Sequence, residues 1–295
     1  MALYLTSNII CYLIPYRFRN KSRDKNKIIK YSTGNNSLVF LSIAASILYA
    51  ISIIYTVSAQ TDDEMSPADD KNKYFVAKMR ADYDDQDELV KLYSSHWNDG
   101  DIALSHPNEE NLEYTMQLPG EHGVQYFSLS EIKSNVASLK AKGVDIVSLD
   151  LEKEYSSNLD LEDPVASVKA ASEIVHKYDM KFMISPSIML TADFGTQFAP
   201  FVDIYNIQAQ SLQSRPNEFN DFVKEIARDL RSANPEISIS TQVSTARGSL
   251  DNMKRSISSV VDIVDGISSW FTDDRNGLNK LNGFIRWFNN EYRQE

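Results

Sequence analysis

The sequence predicts an α/β chain whose body closes into a (β/α)8, TIM-type barrel, and three observations predict it. Short β-branched runs alternate with helical patterns from about residue 73 onward, which demands parallel strand pairing with right-handed crossovers. The body, about 225 residues long, fits a compact eight-strand barrel. No glycine-rich phosphate loop follows the first strand, as an open dinucleotide-binding sheet would require.

Candidate strands rich in Val, Ile, Tyr and Phe cover residues 74–80, 112–118, 144–152, 181–187, 202–208, 237–243 and 264–271. The eighth is expected at either 101–104 or 124–129. Helical patterns fall at 130–142, 164–178, 217–232 and 249–261. In the second of these, Val165, Val168, Ala171, Ile174 and Val175 form one apolar stripe, and Asp163-Pro164 supplies an N-cap with Pro at the first helical position. A last helix over 277–292, with Leu278, Leu281, Phe284, Ile285 and Phe288 on one side, is expected to complete the outer ring. Between 97 and 129 no helix of useful length is predicted. No internal repeat divides the chain.

Ahead of the barrel the chain reads as three segments. Residues 1–36 are a basic leader, in which Arg17, Arg19, Lys21, Arg23, Lys25, Lys27 and Lys30 face one acid, Asp24. Residues 37–59 contain a charge-free apolar run, 38–57, whose length at about 1.5 Å per residue matches a hydrocarbon core of about 30 Å. The positive-inside rule keeps the basic side cytoplasmic and exports the body. Val57-Ser58-Ala59 is a small-residue pattern that a signal peptidase accepts, so both a membrane anchor and secretion after cleavage near Ala59 remain open. Residues 60–72 are polar and aperiodic, a flexible linker, and 73–295 form the barrel domain. The expected location is extracellular or at the cell surface.

Composition narrows the chemistry. Residues 1–59 hold seven of the 30 basic and one of the 41 acidic side chains, which leaves the remainder with 23 against 40 and a net charge of −17. Such a surface repels phosphate backbones, so nucleic acid is not expected as a partner, and a neutral or cationic ligand fits better. The single cysteine, Cys11, lies in the leader, which excludes disulfides, thiolate zinc sites and cysteine nucleophiles from the body. His96, His106, His122 and His176 show no paired metal spacing. No metal or other cofactor is expected, and the body is expected to be a monomer.

Residues 143–152, GVDIVSLDLE, carry the chemistry. Alternation places Val147, Leu149 and Leu151 toward the helices, and Ser148, Asp150 and Glu152 toward the barrel axis. Two carboxylates pointing into a barrel are costly unless they are used, or paired by a cation such as Arg80 or Arg247. They also lie at the C-terminal end of their strand, where barrel enzymes place catalytic groups. Like charges two residues apart resist joint ionisation, so one carboxyl is expected to hold its proton toward neutral pH. Such a pair is equipped for glycosidic bond cleavage.

These residues carry a resemblance. Residues 145–152 resemble the DxxDxDxE signature on the fourth barrel strand of glycoside hydrolase family 18, the chitinases and their relatives, with three of four acidic positions kept. The preceding helix, SNVASLKAKG, then FMISP at 182–186, VDIYNIQ at 202–208 and DGISSW at 265–270 are similar to the helix leading into the signature and to the fifth, sixth and eighth strands. The resemblance spans about half of the chain. It implies that Glu152 protonates the leaving oxygen while the substrate's N-acetyl group, oriented by Asp150, attacks the anomeric carbon. It also implies Trp270 as the floor of the sugar site. This mechanism needs no protein nucleophile, unlike the ordinary two-carboxylate scheme.

The chain departs from the family at three places. Ser148 stands where the family has an Asp, Gln208-Ala209-Gln210-Ser211 where it has Met-x-Tyr-Asp, and Leu151 where an aromatic is common. Gln208 or Gln210 is expected to supply the hydrogen bond that the tyrosine gives in the family. Arg247, in the turn after the seventh strand, is a further candidate for meeting a polar substrate. Asp82-Tyr83-Asp84-Asp85 after the first strand is expected to cap the next helix. The leading expectation is an extracytoplasmic hydrolase of β-linked, N-acetylated glycans. Its rivals are a non-catalytic glycan-binding barrel and a cell-surface scaffold without ligand.

Overall fold

The computed structural model describes residues 73–79 and 85–293. The leader, the apolar run at 38–57, the linker, Arg80 and Asp82 to Asp84 lie outside them. Among the described residues no helix is long and apolar enough to cross a membrane. Eight parallel strands, β1 (Tyr74–Met79), β2 (Ile102–Ser105), β3 (Glu121–Tyr126), β4 (Ile146–Leu149), β5 (Lys181–Ile184), β6 (Ile204–Ile207), β7 (Ser238–Ser244) and β8 (Gly266–Trp270), close into a barrel in chain order. Closure is made where Tyr74 of β1 stands opposite Gly266 of β8.

The connections are helical: α1 (Gln86–Ser94), α2 (Glu109–Thr115), α3 (Leu129–Ala141), α4 (Asn158–Glu162), α5 (Pro164–His176), α6 (Ile188–Phe198), α7 (Pro216–Ala233), α8 (Leu250–Ser258) and α9 (Arg275–Tyr292). Side-chain caps begin most of them. Asp85 accepts from the Glu88 amide at α1, Asp163 from Ala166 at α5, and Asp274 from Gly277 at α9. The main apolar core lies between strands and helices, where Val147, Leu149 and Leu151 pack as alternation requires.

The second expected strand, 112–118, is a helix and turn instead. Leu112, Tyr114, Met116 and Leu118 alternate with period two and imitate a strand. Yet Asn108 caps the segment by accepting from the Asn111 amide at 2.7 Å, Glu109 and Glu110 occupy its first turn, and Asn111, Leu112 and Thr115 bury one helical face. Both alternatives for the eighth strand are therefore strands, β2 and β3. Helices α1, α4 and α6 complete the ring beyond those that periodicity predicted.

Inside the barrel, Val76, Ile102, Leu104, Ile146, Met183 and Ile204 form a small apolar plug against Tyr74. Two strand glycines make room for it. A Cβ on Gly266 would lie 2.3 Å from the Tyr74 ring, and one on Gly123 would lie 2.8 Å from the Leu104 side chain. Above the plug, toward the C-terminal ends of the strands, the interior is polar.

Below the plug a recurrence appears that the sequence did not reveal. Asp101, Asp145, Asp203 and Asp265 each immediately precede an even-numbered strand, and each carboxylate accepts from the amide of the second residue of the strand before it. The pairs are Phe75 to Asp101 at 2.6 Å, His122 to Asp145 at 3.0 Å, Phe182 to Asp203 at 2.7 Å and Ile239 to Asp265 at 2.8 Å. Each aspartate also meets a basic side chain: Arg293, His122, His176 and Arg231 in that order. Asp145, the first acid of the resembled signature, is thus one of four clamps at the base of the barrel, at the end remote from Asp150 and Glu152.

The Asp101–Arg293 pair is buried on both sides and ties the end of α9 to β1 and β2. Burial pushes the Asp101 carboxyl up, while Arg293 and the amides of Phe75 and Asn98 pull it down. Arg293→Met is expected to destabilise the fold by roughly 3–5 kcal/mol at neutral pH, because it strands a buried carboxylate. Without the cation the carboxyl takes up a proton more readily, so the loss should shrink toward about pH 4. Urea unfolding at both pH values checks this, and an unchanged midpoint at neutral pH refutes it.

Candidate active site

The strand carrying the two carboxylates ends at Leu149, earlier than its sequence suggests, so Asp150 and Glu152 lie just past its C-terminal end. The chain is held there by neighbours on both sides. The Asp150 amide donates to the Tyr126 carbonyl at 2.8 Å, and the Ser187 amide donates to the Leu151 carbonyl at 2.9 Å. A tight turn follows. Ser156 Oγ donates to the Asp150 carbonyl at 3.0 Å and accepts from the Glu152 amide at 2.9 Å. The amides of Tyr155 and Ser156 donate to the Glu152 carbonyl at 3.1 and 2.8 Å.

Asp150 is buried at the centre of an amide cluster. Gln125 Nε2 from β3 donates to Oδ2 at 2.6 Å, and Gln208 Nε2, just past β6, donates to Oδ1 at 2.9 Å. Gln208 is oriented in turn: the same Nε2 reaches the Ser185 carbonyl at 2.7 Å, and Gln210 Nε2 donates to its Oε1 at 3.1 Å. Burial pushes the Asp150 carboxyl up to about 7; Lys78 and the Gln208 hydrogen bond oppose that rise and the Glu152 charge adds to it. Of the two carboxyls, Asp150 is the one whose proton affinity burial raises. Glu152 is half-buried, and among the described residues nothing donates a hydrogen bond to its carboxylate.

The cation beside this pair is Lys78, which sequence reasoning missed. It projects inward from β1, and Nζ donates to Gln242 Oε1 at 2.9 Å. Burial lowers its pKa, while the charges of Asp150 and Glu152 hold it up. Gln242 belongs to a polar floor in which Asn206 Oδ1 accepts from Ser240 and Ser268 at 3.1 and 2.8 Å, and Asn206 Nδ2 donates to Ser185 Oγ at 3.2 Å. Lys78 is in phase with Tyr74 and Val76, which the structure turns inward, and Gln125 stands likewise two residues after Gly123.

The other predicted residues take different places. Gln208 and Gln210 join the cluster directly. Ser148 is fully buried one step below Asp150, and its hydroxyl makes no hydrogen bond among the described residues, so Gln125 and not Ser148 flanks the carboxylate. Trp270 ends β8 on the same rim and is 38% exposed. Arg247 is exposed in the turn after β7. Its carbonyl accepts from Gln213, and its side chain forms no ion pair with the carboxylates.

Neither a family model nor a curated protein matches the chain. Solved structures that are similar include the spore cortex-lytic enzyme SleL of Bacillus megaterium QM B1551, at 8% identity over 74% of this chain and 75% of that one, with a TM-score of 0.49. A Schiff base forming fructose-1,6-bisphosphate aldolase is similar at 10% identity over 73% of this chain and 94% of that one, with a TM-score of 0.48. A cortex-lytic enzyme and an aldolase are named for unlike chemistry, so the likeness says nothing about the reaction here.

Proposed function

We propose that the chain is an extracytoplasmic glycoside hydrolase of chitinase-like type, acting on β-linked, N-acetylated glycans. The observation that carries this reading is the pairing of Asp150 with Glu152 at the C-terminal mouth, one carboxyl buried and held by two amide donors, the other half-exposed. The raised proton affinity of Asp150 lets the pair hold one proton near neutral pH; with substrate bound that proton is on Glu152, which delivers it to the leaving oxygen as the glycosidic C–O bond breaks. The acetamido carbonyl oxygen of the substrate forms the new bond to the anomeric carbon, and ionised Asp150 accepts the acetamido N–H and offsets the developing positive charge. Water then opens that cyclic intermediate, and Glu152 recovers its proton from it.

Gln208 and Gln210 keep Asp150 in one orientation, and Trp270 supplies an apolar face for a sugar ring. The basic block ahead of residues 38–57 supports export, with the body either tethered or released. Incubating the protein with soluble β-linked oligosaccharides, acetylated and not, tests the reading. Reducing-end release confined to acetylated substrates is the expected result. Binding without cleavage replaces the hydrolase with a glycan-binding barrel, and neither binding nor cleavage removes both.

A further inference from the structure

Among the described residues the large apolar side chains that stand exposed are few, and they are unevenly placed. Tyr155 is 62% exposed, Leu159 78%, Met189 73% and Trp270 38%, and all four lie at or beyond the C-terminal ends of strands; Tyr178, 37% exposed, lies at the other end. Tyr155 does not stand alone. Its ring lies 5.6 Å from that of Phe127, in the loop after β3, and Phe127 lies 6.1 Å from His106, after β2, at an interplanar angle of 28°. The Phe127 amide donates to Glu131 Oε2 at 3.2 Å, which fixes the middle of this stair. The outer end is fixed too, because Tyr155 sits in the hydrogen-bonded turn that begins at Glu152.

We infer that Tyr155, Phe127 and His106 form a second sugar platform on the rim, which together with Trp270 makes the site one for an extended glycan chain. The inference rests on the hydrolase reading and deepens it. Phe127 tilts 45° from Tyr155, so the flat apolar face offered to the C–H side of a pyranose is that of the exposed Tyr155 ring, backed by Phe127 and His106. Around it Lys153, Glu154 and Asn158 are exposed and polar, and the acidic body argues against nucleic acid bases as the stacking partner. In a closed ring of eight strands, β4 and β8 stand four places apart, so the two platforms lie on opposite sides of the mouth. A chain touching both must cross it. Because one turn carries both Glu152 and Tyr155, a sugar seated on the platform is held in register with the acid.

The test compares an acetylated hexasaccharide with a short aryl glycoside in wild type, Tyr155→Ala and Tyr155→Phe, and measures hexasaccharide affinity by calorimetry in a Glu152→Gln background. Tyr155→Ala is expected to weaken hexasaccharide binding and raise its KM by about fivefold or more, with the aryl glycoside changed less than about twofold and Tyr155→Phe restoring wild-type behaviour. Equal effects on both substrates, or none on either, overturn the platform and leave the hydrolase standing. Failure to cleave any glycan overturns the hydrolase, and the platform then survives only if calorimetry shows hexasaccharide binding that depends on Tyr155. Absence of hexasaccharide binding overturns it outright.

Discussion

Glu152→Gln is expected to lower hydrolysis by roughly 10²- to 10⁴-fold while leaving the fold and glycan affinity intact. Glutamine keeps the shape of the side chain but has no proton to give to the leaving oxygen. Its position makes the change structurally mild. The carboxylate is half-buried, no described residue donates to it, and the turn around it is held by backbone groups and Ser156. Turnover and calorimetric binding measured on the same preparation separate the two effects. Retained turnover eliminates Glu152 as the acid, and lost binding shows that its charge serves recognition.

Lys78→Met is expected to move the acidic limb of the pH profile upward. Asp150 must be ionised to receive the acetamido N–H, and its carboxyl stands at about 7 with Lys78 among the influences that lower it. Methionine fills similar volume without charge. Losing an opposite charge from the neighbourhood of a carboxylate raises its pKa. The variant should therefore fall well below wild type at neutral pH and recover as the pH rises. A kcat/KM profile across pH reads this directly, and an unmoved acidic limb means that Lys78 does not govern Asp150.

Much of the candidate site was legible because a strand reports its own parity. In residues 147–152 the apolar and polar positions alternate, so Asp150 and Glu152 could be placed on the inner face from local pattern alone. Lys78 and Gln125 were not recognised by the same means. In a closed barrel both faces of a strand are buried, and β1 reads Tyr-Phe-Val-Ala-Lys-Met, almost without polar contrast. Nothing local says which set points inward. The role of Asp145 was masked differently: it fits an acidic signature by spacing, yet its carboxylate accepts from the His122 amide on β3, a contact invisible along the chain.

The alternation of elements, the barrel architecture and the address of the two carboxylates follow from the sequence by itself, because periodicity, capping and strand polarity are properties of neighbours in the chain. Tertiary structure alone decided the rest. It made 112–118 a helix despite strict alternation, since a face of Asn111, Leu112 and Thr115 had a place to be buried. It brought Lys78 from β1, Gln125 from β3 and Gln208 from beyond β6 around one carboxyl. The raised proton affinity of Asp150 was decided there too, because burial and the charge of a residue 72 positions away act through space and leave no trace in local spacing.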